Sequence, residues 1–109
     1  MTKPEAHIRL AIDAMGSDLG PNEVLEGVAL AIDRVPRNTN FILFGKKKDL
    51  EPIVLSNSIL SNSKVEIVHC SEVVGMEEKP IAGIKGKKNS SMSLALQSLK
   101  EGEADALLS

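Results

Sequence analysis

The chemistry this sequence can support gathers in two short segments. The first, Asp13-Ala14-Met15-Gly16-Ser17-Asp18-Leu19-Gly20-Pro21, separates an alternating run from a helical one, the place of a strand-to-helix loop. Glycine lets backbone amides approach a ligand, and a following helix offers unpaired N–H groups to an anion. Asp13 and Asp18 oppose that simple reading. They can orient a lysine, accept from a substrate hydroxyl, or serve only as turn and cap residues. The spacing is not Gly-x-Gly-x-x-Gly, so the dinucleotide fingerprint is excluded.

The second segment is Ile84-Lys85-Gly86-Lys87-Lys88-Asn89-Ser90-Ser91-Met92. Three lysines, an amide and two hydroxyls stand just ahead of a helical pattern, so side-chain charge and a helix N-terminus can converge on one anion, with phosphate the natural guess. The same residues also fit a solvated lysine loop in which Asn89 or Ser90 caps the helix. A Walker A cradle is excluded by spacing. Lys46-Lys47-Lys48 has no convergent polar partners in the sequence and reads as a solvated turn. His69 and Cys70 are adjacent at a strand end, where their side chains point to opposite faces, so Cys70 reads as a buried structural thiol. A single cysteine with His7 and His69 excludes a disulfide framework and a closed zinc site, and no Gly-x-Ser-x-Gly elbow occurs. Neither metal nor cofactor is expected.

These loops need elements to position them. Ile8, Leu10 and Ile12 alternate with Arg9, Ala11 and Asp13, the period of a strand. From Pro21 to Val35 the period becomes helical, with Val24, Leu25, Val28, Ile32 and Val35 on one stripe, glutamates near the start and Arg34 and Arg37 near the end. Asn40 to Gly45 is a continuous apolar run, the form of a strand covered on both faces. Asp49 offers an N-cap for a short helix that fades into the polar stretch Ser56 to Ser63. Lys64 to Cys70 predicts a third strand. Ile81 to Asn89 reads as loop or a frayed turn. Ser90 to Gly102 predicts a helix with Met92, Ala95, Leu96 and Leu99 inward, and Ala104 to Ser109 begins a fourth strand. Strands alternating with helices give an α/β fold, a mostly parallel open sheet with flanking helices. The fourth strand enters a core with no return helix after it, so it is either a sheet edge or the start of something longer.

Length and composition bound the function. The chain has 109 residues, 42% of them apolar and only 2% aromatic, enough for one domain with an aliphatic core. Thirteen basic against 15 acidic residues leave a net charge of −2, with 26% of residues charged. That balance excludes a general nucleic-acid or membrane-surface binder, so any electrostatic function is local. No apolar run approaches the span of a bilayer, and the start lacks a secretory signal, which predicts a cytoplasmic protein.

Ile12-Asp13-Ala14-Met15-Gly16-Ser17-Asp18-Leu19-Gly20-Pro21, with Lys87-Lys88-Asn89-Ser90-Ser91-Met92 and Ala104-Asp105-Ala106, resembles the N-terminal part of the bacterial phosphate acyltransferases across essentially the whole chain. The resemblance implies a truncated relative of the phosphotransacetylase and isocitrate/isopropylmalate dehydrogenase fold. It implies transfer of a fatty acyl group from acyl carrier protein to inorganic phosphate for phospholipid synthesis, a homodimeric full-length enzyme, and peripheral membrane association of that enzyme. A 109-residue chain alone is then expected to be inactive. Carried over by position, Lys85, Lys88, Asn89, Ser90 and Ser91 become contacts for phosphate or the carrier's phosphopantetheine, and Asp13, Gly16, Ser17 and Asp18 the facing wall of the cleft. The lysines equally suit docking of an acidic carrier. A non-catalytic anion- or carrier-binding domain is the alternative that the same residues allow. The family loop usually reads Asp-x-Met-Gly-Gly-Asp, often followed by histidine, where this chain has Ser17 and Leu19. It also stops before the family's Ala-Gly-Asn-Thr-Gly-Ala loop.

Overall fold

The alternation from Ile8 to Asp13 forms strand β1, and the apolar run after it forms β2, Thr39–Gly45, parallel to β1 with Leu10 opposite Phe41 and Asp13 opposite Phe44. The structure is a computed structural model that describes residues 8–16, 20–71 and 90–108. Strands β3, Val65–His69, and β4, Ala106–Leu108, complete a parallel four-stranded sheet in the order β3-β2-β1-β4. Consecutive strands thus leave β1 toward β2 and β3 on one side, and the chain returns to β1's other side with β4. The sheet therefore has a topological switch point beside β1.

The helices divide by face. Helix α1, Pro21–Ala31, continues as a single 3-10 turn over Ile32–Arg34, and α2, Lys47–Ser56, is followed by the one-turn α3, Ser58–Ser61. These cover one face, where Leu25, Val28, Leu50 and Leu60 pack on Ile12, Phe41 and Leu43. Helix α4, Ser91–Lys100, covers the other, where Ala95 meets Ala11, Ile42, Phe44 and Cys70. β2 contributes alternate residues to both clusters, as its unbroken apolar run requires.

Four readings of local structure are corrected. The polar stretch Ser56 to Ser63 is not a fading end. It holds α3, because Asn57 Oδ1 accepts from the N–H groups of Ile59 and Leu60 at 2.9 and 3.2 Å. Asp49 does not cap α2; it lies in the first turn, and Lys46 occupies the cap position without a side-chain bond. Instead His69 Nδ1 accepts from the N–H of Lys47 at 3.1 Å, so a residue from the neighbouring strand end satisfies an orphan amide of α2. Lys47 and Lys48 consequently belong to a helix rather than a turn, and Lys47 pairs with Glu51 at 3.7 Å. Finally, the buried stripe of α4 is Ser91, Ala95 and Ser98, whereas Leu96 and Leu99 are exposed. Small side chains let the helix axis settle close to the sheet, which a count of apolar residues does not reveal.

At the bottom of the sheet α4 is followed by Gly102, whose φ of +78° is the left-handed conformation that suits glycine after a helix. Arg9 fixes that turn: its Nη2 donates to the carbonyl of Gly102 at 2.7 Å, and its backbone N–H donates to Asp105 Oδ2 at 2.7 Å. These bonds hold Asp105 below the usual carboxylate range, the backbone N–H contributing most and the guanidinium next. β4 is thereby aligned on β1, with Ile12 opposite Leu108.

Candidate functional site

Parallel sheets place ligand sites beyond the carboxyl ends of their strands, at the point where strand order reverses. Here that point is the end of β1. Alternation sends Ile12 to the α1 face and Asp13 to the α4 face, so the last side chain of β1 is a carboxyl directed toward the first turn of α4. Asp13 is 3% exposed. Its Oδ1 accepts from Ser91 Oγ at 2.5 Å and from the backbone N–H of Met15 at 3.2 Å, so the buried oxygen is doubly satisfied.

Gly16 makes that arrangement possible. A Cβ at position 16 would stand 2.5 Å from Asp13 Oδ2 and 3.0 Å from its Cγ. The sequence suggested a glycine that lets backbone approach a ligand; the structure shows one that leaves room for a side chain of its own loop. Ser90, also buried, caps α4: its Oγ accepts from the N–H of Ser93 at 3.1 Å and donates to Ser93 Oγ at 3.0 Å. Of the two cap candidates, Ser90 is the residue that holds the position. Both hydroxyls of the Ser90-Ser91 pair are thus engaged within the fold, and what α4 offers beyond them is its first-turn amides and the positive end of its dipole.

Cys70 completes the floor. It follows β3, is fully buried, and its N–H donates to the carbonyl of Gly45 at 2.8 Å, while His69 beside it turns outward to α2. Burial, and then the field of Asp13, push the Cys70 thiol up to about 11. At neutral pH it is a neutral, apolar neighbour of the carboxyl, the buried structural thiol that its place at a strand end predicts.

Of the sequence-derived candidates, Asp13, Gly16, Ser90 and Ser91 are brought to one end of the sheet by β1 and α4. Ser17, Asp18, Lys85, Lys88 and Asn89 lie outside the described residues, as does the ambiguous segment from Ile81. Among the described residues, no helix is long and apolar enough to cross a membrane.

Comparison with known proteins bears on this site. Residues 8–109 match the family model described as "Fatty acid synthesis protein". The chain is 45% identical over 105 residues to a phosphate acyltransferase of Azorhizobium caulinodans, covering 95% of this chain and 29% of that protein. It is 40% identical over 102 residues to the phosphate acyltransferase of Pediococcus pentosaceus, covering 94% of this chain and 28% of that one. A third, from Lactobacillus helveticus, is 42% identical over 100 residues, 92% of this chain and 29% of the relative. The chain therefore spans between a quarter and a third of the length of the curated relatives it matches. Matched from β1 through β4, with the Asp13 loop and the start of α4 inside the matched span, the chain belongs to the fatty acid synthesis protein family.

Proposed function

We propose that this chain supplies the N-terminal part of a phosphate acyltransferase that moves a fatty acyl group from an acyl carrier protein thioester to inorganic phosphate. The reading is supported by the names of the relatives and by one observation above all: the buried bond from Ser91 to Asp13 fastens the N-terminus of α4 to the end of β1, at the switch point of the sheet.

In this reaction a phosphate oxygen forms a bond to the thioester carbonyl carbon, the carbon–sulfur bond breaks, and the carrier leaves as its thiol with the proton. The products are acyl phosphate and free carrier thiol. Phosphate is a poor nucleophile in bulk water and must be held in line and partly stripped of solvent. The first-turn amides of α4, together with Lys85 and Lys88, are the donors and charges assigned to that task, with Asn89 beside them. Asp13 and Ser91 position these donors, and Gly16, with Ser17 and Asp18 after it in the sequence, is assigned to the facing wall. The lysines also suit an acidic carrier, whose encounter they would steer.

The test is product formation. The full-length enzyme, given acyl carrier protein thioester and phosphate, is expected to yield acyl phosphate, while the 109-residue chain alone is expected to yield none. A well-folded full-length enzyme that releases no acyl phosphate would overturn the assignment.

A further inference from the structure

The face of the sheet that α1 covers is open along one side. Helices α1 and α2 lead to β2 and β3, which lie to one side of β1, whereas β4 pairs on its other side and is reached from α4 across the opposite face. Leu108 stands opposite Ile12 in the register of β4 on β1 and so shares its face, yet it is 53% exposed. A groove of about 320 Å³ follows, within the size of small-molecule sites. Ile12 and Phe41 form its floor, Val24, Val28 and Ala31 one wall, and Leu108 the other.

The groove is continuous with the candidate site. Asp13, the last residue of β1, is the one charged residue on its border among the described residues, and its carboxyl is already held by Ser91 and the Met15 amide. Helix α1 starts from that end and runs back along the sheet, so Val24, Val28 and Ala31 draw a line about 10 Å long that leads away from Asp13. Gly27 lies on the same border. It sits inside α1 without a positive φ, and a Cβ there would meet nothing within 4 Å, so neither backbone conformation nor close packing requires glycine. Glycine inside a helix is less stable than alanine, so the fold by itself favours a larger residue. What glycine does at this position is keep the groove clear.

We propose that this groove holds the alkyl chain of the acyl substrate, with the thioester carbonyl at the Asp13 end and the chain laid along α1 from Val24 toward Ala31. The inference rests on the acyl-transfer reading and adds to it a place for the fatty chain and a residue, Gly27, that sets how far the chain can pass. An alkyl chain needs an apolar surface that begins where the reaction occurs, and this groove meets both conditions. Each methylene buried there strengthens binding by about fourfold. Chains longer than the line from Val24 to Ala31 run out past Ala31 and gain little more.

The test measures acyl phosphate release by the full-length enzyme from butyryl and from octanoyl acyl carrier protein, together with the melting temperature. The parent is expected to favour octanoyl over butyryl by about tenfold or more in kcat/KM. Gly27→Leu is expected to lose about tenfold with octanoyl and less than about twofold with butyryl, because the new side chain stands one turn along the groove. It should melt no lower than the parent, since leucine is the better helix former and meets open space. Leu30→Ala, on the exposed outer side of α1, should leave both substrates unchanged. Equal losses with the two thioesters in Gly27→Leu, or no loss with octanoyl, overturn the proposal and leave the acyl-transfer reading standing. A Gly27→Leu enzyme that melts several degrees lower would show that protein rather than an acyl chain fills the groove, which also overturns it. A well-folded parent that releases acyl phosphate from neither thioester removes the acyl-transfer reading itself, and this inference with it.

Discussion

Ser91 donates its hydroxyl to Asp13 across 78 residues of sequence, a buried 2.5 Å bond that ties the first turn of α4 to the last residue of β1. Both residues are shielded from water. Among the described residues, removing the donor leaves Asp13 Oδ1 with the Met15 N–H alone. Ser91→Ala is therefore expected to cost about 2 kcal/mol, the penalty for an under-satisfied buried polar group, in urea unfolding. In the full-length enzyme the same change should raise KM for phosphate more than for the thioester, because it loosens the end of α4. Equal effects on both substrates would show that the bond serves folding alone.

Gly16 is bound to the same relationship. A methyl group there collides with an Asp13 carboxyl that Ser91 and the Met15 amide already hold. Gly16→Ala is expected to destabilise by about 1–3 kcal/mol, the usual cost of overpacking. In an Asp13→Ala background most of that cost should vanish, since the colliding atoms are gone. A double-mutant cycle measures the coupling, and strict additivity would show that Gly16 is needed for some other reason.

Much of this fold is legible in the sequence, and the exceptions share a cause. The alternation at Ile8 to Asp13 and the apolar run at Phe41 to Phe44 mark β1 and β2 because strands in a covered sheet must be apolar on a regular period. The inward face of α4 is not legible, because Ser91 and Ser98 are buried for their size and hydrogen bonds rather than for apolarity. The caps from Asn57 and His69 were equally hidden: each depends on geometry that a neighbouring turn or strand supplies. Asp13 and Ser91 were each visible as polar residues in a loop or before a helix. Their contact was not, since only the switch from β3 back to β1's other side brings them together.

The Cys70 thiol gives an alkaline signature. Its value is raised from the ordinary 9.0 to about 11, by burial first and by Asp13 second. An acid whose value is raised on folding stabilises the fold fully below its unfolded value and loses that contribution as pH climbs to the folded one. Stability should thus decline between about pH 9 and 11, and Cys70→Ser should flatten the decline. Alkylation by iodoacetamide at pH 8 should be slow in the folded chain and fast in urea. Rapid alkylation of the folded chain would contradict a buried, protonated thiol.

Asp105 gives the acid counterpart. Its carboxyl sits below the ordinary 3.8 because Arg9 donates to it from backbone and guanidinium. Here the folded value is depressed, so the contribution is present above the unfolded value and is lost as pH falls past it. Asp105→Asn is expected to lower the melting temperature at pH 7 and to have a smaller effect near pH 3. A difference that does not shrink on acidification would mean that the pairing of β4 with β1 does not depend on this charge.

The two lysine-bearing segments should differ in function despite similar charge. Lys47 is exposed, lies in the first turn of α2 and pairs with Glu51, so its charge is partly answered and its loss should alter little. Lys88 stands two residues before the cap of α4 in the sequence, and in the proposed site its charge adds to the positive end of that helix. In the full-length enzyme Lys88→Ala is expected to raise KM for phosphate by about tenfold or more, whereas Lys47→Ala should stay within about twofold. Raising salt should narrow the gap only slightly if Lys88 touches phosphate, because a direct contact is screened less than a long-range field. Equal losses in the two variants, both erased by salt, would reduce the role of Lys88 to general charge and remove the start of α4 from the phosphate site.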